Sequence, residues 1–254
     1  LCIYLQLFFS FKIIFKLTDD LFFSLIASLF FCFATIFINR TAVHLSLSAQ
    51  WLILLGFYIE ILESKYKSIL RGSVILLSCT IHFYFTIILS IFNIIIYTLS
   101  FLNKKNSLFK IIKEIIITYS SLLALMFIIG YFSIDAKDGL GGGFGYFNLN
   151  LNSFYNPIGS NNFGKFNWSL FFPEQKNLNG EYEGFAFLGI VGFIFLFLFF
   201  LNFKFKKYKI IFSNFEILII FTIFLLLSIS NNVNLGEKNL FYIPLNNIFY
   251  AMFS

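Results

Sequence analysis

Seven apolar stretches separated by short polar segments organise the chain. A transmembrane helix needs about 20 predominantly apolar residues to cross roughly 30 Å of hydrocarbon. Stretches of this kind predict an all-α polytopic membrane protein of about seven transmembrane helices. They cover residues 1–15, 21–38, 45–62, 73–101, 111–132, 185–203 and 210–229.

The stretch 73–101 is too long for one span and too short for two, and the distribution of basic residues suggests how it is folded. The most basic segment, 204–209, is placed in the cytoplasm by the positive-inside rule. The loop at 63–72, whose charges include Lys65, Lys67 and Arg71, and the segment 103–113 then also lie inside, and both ends of 73–101 are cytoplasmic. We therefore predict a broken half-helix pair with its break near His82.

The same topology predicts four regions along the chain. They are a transmembrane helical region at 1–132, one long extracytoplasmic loop at 133–184, two transmembrane helices within 185–230 and a truncated extracytoplasmic segment at 231–254.

Composition supports the membrane interpretation, since 59% of the residues are hydrophobic and only 12% are charged. A soluble domain carries about 25% charged residues, so a soluble enzyme, a secreted disulfide scaffold and a disordered chain are excluded. The net charge of +6 is interpreted as loop charge that sets orientation, and no nucleic-acid partner is expected. The three cysteines show neither metal-ligand spacing nor a disulfide framework.

Several polar residues near the predicted membrane are candidate site residues. His82 lies within an apolar run, where a polar group is either functional or bonded to a neighbouring carbonyl. Arg40, His44 and Gln50 gather at the outer end of a span, where they either hold a lipid phosphate or mark the headgroup boundary. Trp168 either stacks on a sugar ring or anchors the outer loop at the interface.

Acidic residues outside these candidates are expected to have simpler roles. Asp19 and Asp20 are assigned to a short inner turn, and Glu114 and Glu216 are interpreted as surface charges that reach from the membrane to water.

The ordered motifs along most of the chain resemble those of a bacterial multi-spanning membrane family of unknown function. In that family a His, a stretch of small residues and a Gln-Trp pair open a span, as in the run from His44 to Trp51. Later elements are a Phe-Gly-Tyr, an Asn-Pro, a Trp-Ser and a Tyr-Glu-Gly-Phe-x-Tyr-Leu-Gly. They match residues 144–146, 156–157, 168–169 and 182–189, with Phe187 in place of the usual Tyr.

That family in turn is similar to C-type glycosyltransferases, which take a sugar from a polyprenyl-phosphate carrier at the outer membrane face. The resemblance implies residence in the bacterial inner membrane, with membrane lipid, a lipid-linked sugar donor and a glycan or lipid acceptor as partners. It implies an inverting displacement, with or without a divalent metal. It also assigns Arg40, His44 and Gln50 to the donor phosphate, His82 to the cavity wall, and Tyr182 and Glu183 to acceptor or loop organisation.

The catalytic residue of such an enzyme is an Asp or Glu on the first outer loop. No outer acid precedes Leu21, so the catalytic carboxylate is expected upstream and the chain is expected to be an internal fragment. Two further hypotheses stay open, namely a polytopic transporter or flippase and a non-catalytic membrane assembly subunit.

Overall fold

The computed structural model describes residues 1–133, 148–154, 192 and 214–243, which are mostly helical. They form two compact units, the first including residues 1–133 and 214–220 and the second 148–154 and 221–243. The described part contains eight α-helices and one β-hairpin. They are α1 Cys2–Thr18, α2 Leu21–Cys32, α3 Thr35–Val43, α4 Trp51–Ile61, α5 Lys67–Ile81, α6 Phe83–Leu102, α7 Leu108–Ile128, α8 Asn214–Ile229, β1 Asn232–Leu235 and β2 Lys238–Tyr242.

Helices α1 and α2 form a hairpin whose turn is made by the two aspartates. Asp19 ends α1 in the left-handed conformation with φ 54°, and the Asp20 carboxylate accepts the N–H of Phe23 at 2.9 Å at the start of α2. The helices meet at small polar side chains, and the Ser10 hydroxyl donates to the carbonyls of Gln6 and Ser28. The carboxylate pair therefore has a structural role as turn and helix cap.

The prediction of one continuous span over residues 21–38 is wrong. Helix α2 ends at Cys32 after 12 residues, and α3 begins at Thr35. Twelve helical residues rise only about 18 Å, so α2 alone is shorter than the hydrocarbon core. Neither Gly nor Pro stands at the break, and apolar periodicity alone therefore gave no sign of it.

The predicted helix break at His82 is present between α5 and α6, but α6, with 20 residues, is longer than the half-helix that was predicted. Helix α5 begins at Lys67, so the loop predicted at 63–72 is limited to residues 63–66, and Arg71 is helical. Helices α6 and α7 are the two described helices that are long and apolar enough to cross a membrane.

The core of the first unit lies between α4, α5 and α6. Leu52, Ile59, Ile75 and Leu89 are almost fully buried there. Gly56 allows α4 to approach α6 closely, because a Cβ at this position would lie 2.8 Å from Cδ2 of Leu89. This packing holds the α5–α6 hairpin and thereby fixes the polar groups at its two ends.

The second unit contains a β-hairpin that an all-α interpretation did not predict. Strands β1 and β2 pair antiparallel, with Leu235 opposite Lys238. Gly236 starts the two-residue turn with φ 61°, a conformation that favours glycine. Asn150 anchors the hairpin, since its side-chain amide bonds both the carbonyl and the N–H of Gly236. Residues 231–254 were predicted to be an extracytoplasmic segment with no strand assigned, and the alternation of polar and apolar residues around Gly236 is the signal that was missed.

Candidate functional site

His82 occupies the tip of the α5–α6 hairpin and caps α6. Its backbone is extended, and its Nδ1 accepts the N–H of Tyr84 at 3.2 Å. The ring also stacks on Tyr84 at 5.3 Å between centroids and meets Phe85 edge-on. Because Nδ1 is an acceptor, the neutral imidazole carries its proton on Nε2. The imidazole is therefore held by a local cap and has a hydrogen-bond donor on its other nitrogen.

Arg40 and His44 lie close enough to His82 to interact with it electrostatically. Arg40 is in the last turn of α3, and the N–H of His44, which ends this helix, bonds to the Arg40 carbonyl at 2.9 Å. Burial lowers the pKa of His82, and the charges of Arg40 and His44 lower it further. The structure thus brings together three predicted site residues from two helical segments. We refer to Arg40, His44 and His82 as the rim cluster.

The remaining predicted site residues do not join this cluster in the described part of the chain. Gln50 precedes α4, and its side chain makes no capping hydrogen bond there. Trp168, Tyr182 and Glu183, most of the loop at 133–184 and the span at 185–203 lie outside the described residues.

A second polar site lies at the opposite end of the hairpin, where α5 begins and α6 ends. It is a cleft of about 220 Å³ within the first unit. Eight of its ten lining residues are polar or charged, and we refer to it as the Arg71 cleft. Its lining residues are Glu60, Lys67, Arg71, Ile96, Leu99, Ser100, Asn103, Lys105, Asn106 and Glu216.

A buried ion pair forms the floor of the Arg71 cleft. Nε of Arg71 lies 3.3 Å from Oε1 of Glu60, and the two side chains are only 11% and 8% exposed. The N–H does not point at the oxygen, so neither atom makes a hydrogen bond within the described residues. Nη1 of Arg71 donates to Oδ1 of Asn93 at 3.4 Å, and the guanidinium lies 4.8 Å from the ring centre of Tyr97. The pair is therefore fixed in position while retaining unsatisfied polar atoms.

The mouth of the cleft carries further charges. The Lys67 ammonium donates to the carbonyl of Glu60 at 2.8 Å. Asn103 donates from Nδ2 to Oε1 of Glu216 at 2.8 Å. Glu216 is 8% exposed, so its predicted role as a surface charge is wrong. Its carboxylate is buried because the Asn103 amide provides a hydrogen bond.

The path of the chain after α6 places Lys105 at this mouth. Lys104 adopts φ 55°, its N–H bonds the carbonyl of Phe101, and the N–H of Lys105 bonds that of Ser100. This pair of bonds is a Schellman motif, which reverses the chain at a helix end. Lys105 thus lines the cleft at the end of α6 instead of continuing along the helix axis.

Sequence reasoning missed the Arg71 cleft, although two signals for it were present. Asn93 stands in the middle of the apolar run of α6, where an amide requires a partner. Glu60 stands near the end of another apolar run. Arg71 was interpreted as a loop charge, which removed the natural partner for both residues.

The described residues contain no group of three or more His, Cys, Asp or Glu side chains that could hold a metal ion. The rim cluster and the Arg71 cleft contain cations, imidazoles, carboxylates and amides. At the rim cluster and at the Arg71 cleft, this chemistry suits recognition of an anion.

A family model described as a domain of unknown function, DUF6311, matches residues 1–254, so the chain belongs to this family. No curated protein and no solved structure is significantly similar to the chain.

Proposed function

We propose that the chain is part of a bacterial inner-membrane protein of about seven transmembrane helices that acts as a C-type glycosyltransferase. Its donor is a sugar carried on a polyprenyl phosphate, and its acceptor is an envelope glycan or lipid at the outer face. The rim cluster is the observation that carries this proposal, because Arg40 and His44 lie close enough to His82, at the tip of the α5–α6 hairpin, to interact with it electrostatically.

The membrane setting is supported by the apolar surfaces of the long helices. Helix α7 exposes large side chains along its length, with Phe109 80% exposed, Phe127 76% and Ile128 77%. A surface of this kind is unfavourable in water and suits contact with lipid tails. The hairpin tip at His82 then lies at the outer face under the proposed topology.

The chemistry of the rim cluster suits the phosphate of a lipid-linked donor. Arginine is the side chain whose planar fork best matches phosphate oxygens. His82 presents the N–H of Nε2, and its Nδ1 is held by the backbone of Tyr84. These donors lie at a membrane surface, where a lipid phosphate can reach them while its tail stays in the bilayer.

In the proposed reaction, an acceptor hydroxyl attacks the anomeric carbon of the donor sugar. The bond between that carbon and the phosphate oxygen breaks, and a carboxylate base takes the hydroxyl proton. The negative charge gained by the leaving phosphate is stabilised by the Arg40 guanidinium, which favours the transition state over the ground state. The proposal assigns Arg40, His44 and His82 to this phosphate, and Tyr182 and Glu183 to the acceptor.

The test is binding of a short-chain polyprenyl monophosphate to the full-length protein in nanodiscs, followed by native mass spectrometry. Arg40→Gln should weaken binding by roughly tenfold, the effect of one charge-assisted hydrogen bond. Lys16→Gln is the matched control, since Lys16 is an exposed cation at the end of α1.

Equal losses in Arg40→Gln and Lys16→Gln would overturn the assignment of the phosphate to the rim cluster. Transfer is tested with a radiolabelled polyprenyl-phosphate sugar in proteoliposomes. Movement of the intact donor across the bilayer without sugar transfer would support a flippase and contradict the glycosyltransferase proposal.

A further inference from the structure

We propose that the Arg71 cleft binds a small ligand that carries both a phosphate and hydroxyl groups. Two sources share this chemistry, the headgroup of a phospholipid such as phosphatidylglycerol and a free polyol phosphate. This site lies at the end of the hairpin away from the rim cluster and does not depend on the proposed glycosyltransferase activity.

Three cations line the cleft against two carboxylates, so the wall is positive overall. Lys67, Arg71 and Lys105 supply the cations, and Glu60 and Glu216 supply the carboxylates. An ammonium has three N–H donors, and Lys67 uses one on the Glu60 carbonyl. The Lys105 ammonium has no partner within the described residues. Donors are thus available for phosphate oxygens on two sides of the cleft.

The start of α5 adds to this positive potential. Lys67 is the first residue of a 15-residue helix. The first N–H groups of a helix have no partners within it and carry the positive end of its dipole, which favours phosphate. The lysine charge and the helix end therefore act in the same direction.

The buried ion pair places a carboxylate and a guanidinium side by side among the residues that line the cleft. Oε1 of Glu60 and Nε of Arg71 make no hydrogen bond within the described residues. Glu60 is nevertheless buried, with only 7% of its surface exposed. The Oε1 and Nε atoms lie next to each other and are closed to solvent, so a ligand meets the pair through its other atoms. A ligand hydroxyl can donate to the second carboxylate oxygen of Glu60, and a phosphate oxygen can accept from a terminal N–H of the Arg71 guanidinium. Inorganic phosphate lacks the hydroxyl carbon chain, and an amine would be repelled by the three cations. A polyol phosphate carries both kinds of group, with hydroxyls for the carboxylates and phosphate oxygens for the cations.

The cleft volume limits the ligand to the size of a headgroup. About 220 Å³ is smaller than the roughly 300–1,000 Å³ typical of drug-sized ligands. Glycerol phosphate has the dimensions of such a headgroup and contains the two kinds of group that the wall requires.

The first experiment measures sn-glycerol 3-phosphate binding to the full-length protein in detergent by isothermal titration calorimetry at low ionic strength. Lys67→Gln and Lys105→Gln should each weaken binding by roughly tenfold, the effect of losing one charge-assisted hydrogen bond. Lys65→Gln is the matched control, because Lys65 is exposed nearby, with its ammonium 5.0 Å from the Tyr66 ring centre and outside the cleft lining.

Inorganic phosphate and glycerol serve as probes for the two halves of the ligand. Both should bind more weakly than glycerol phosphate. Inorganic phosphate that binds as tightly as glycerol phosphate would overturn the requirement for hydroxyls. Equal losses in Lys65→Gln and Lys105→Gln would overturn the location of the site.

The second experiment identifies the source. The protein is incorporated in nanodiscs of phosphatidylglycerol and phosphatidylcholine, and retained lipid is measured by native mass spectrometry. Selective retention of phosphatidylglycerol that is lost in Lys67→Gln/Lys105→Gln supports a lipid headgroup, whereas binding of glycerol phosphate alone supports a free ligand. Failure of both probes overturns the proposal.

The variants remain interpretable because Lys105 is exposed and follows a helix end that is fixed by backbone bonds. Thermal unfolding and size-exclusion profiles of Lys105→Gln should match the wild type. Polyprenyl phosphate binding at the rim cluster should also be unchanged, which separates failure of this site from failure of the proposed function.

Discussion

The two ends of the α5–α6 hairpin are built by different physical means. At the tip, His82 is held by the N–H of Tyr84, two residues away. At the other end, Arg71 is held by Glu60 on another helix and by Asn93, 22 residues along the chain. One end is thus organised by local backbone geometry and the other by a tertiary ion pair.

This difference determines which amino-acid substitutions each end of the hairpin can tolerate without loss of stability. A local cap survives any substitution that keeps an acceptor in place, because its partner belongs to the same turn. A buried ion pair survives only if both charges stay or both leave, since a lone buried charge is costly. Helix α6 separates the two ends by 20 residues, or about 30 Å of helix. Substitutions at the two ends should therefore act independently.

The largest effect is expected when the ion pair is broken from one side. Arg71→Leu leaves the Glu60 carboxylate buried without a counter-charge, and we expect a loss of about 3–5 kcal/mol in the free energy of unfolding. The measurement is chemical denaturation of the full-length protein in detergent, followed by tryptophan fluorescence.

The double variant Glu60→Leu/Arg71→Leu sharpens this result. Because it removes both charges, it should recover most of the stability that Arg71→Leu loses. A double variant that loses the sum of the two single effects would contradict a coupled pair. It would then indicate that each residue acts through separate contacts.

Features encoded by a few neighbouring residues could be predicted from the sequence. The break at His82 followed from the length of an apolar run and the charges at its ends. The turn at Asp19 and Asp20 followed from two polar residues between apolar runs, and Asp20 is the cap that such a position favours. For the aspartate turn the information lies within a few neighbouring residues, and for the break at His82 it lies in one apolar run and the basic segments of the chain.

Features that depend on tertiary contacts could not be predicted in the same way. Arg71 looked like a loop charge because the partner that buries it, Glu60, lies on another helix. The same holds for Glu216, which is paired with Asn103 more than one hundred residues earlier. The rim cluster is an intermediate case, since its three residues were predicted separately and the electrostatic interaction between them depends on how the tertiary structure places α3 relative to His82.

A smaller effect is expected at the tip when the cap is removed. His82→Ala deletes the acceptor for the Tyr84 N–H, and loss of an N-cap typically costs about 1 kcal/mol. His82→Asn retains a capping oxygen and should be close to the wild type. Thermal unfolding of the three proteins under identical conditions tests this order. Equal destabilisation by Ala and Asn would show that ring stacking on Tyr84, and not the cap, holds the imidazole.

The smallest effect concerns pH and applies to the tip alone. Burial lowers the pKa of His82, and Arg40 and His44 lower it further, so the folded state resists a proton that the unfolded chain accepts near its ordinary pKa of about 6.5. The contribution of His82 to stability is therefore complete above that value and is lost as pH falls through it toward the lower folded pKa. His82→Asn should remove this component and leave the Arg71 end unchanged.

Arg40→Gln should raise the His82 pKa without restoring its ordinary value, because burial is the largest cause. Titration of the His82 ring by nuclear magnetic resonance measures both shifts, and an unchanged pKa in Arg40→Gln would contradict the electrostatic contact on which the rim cluster depends.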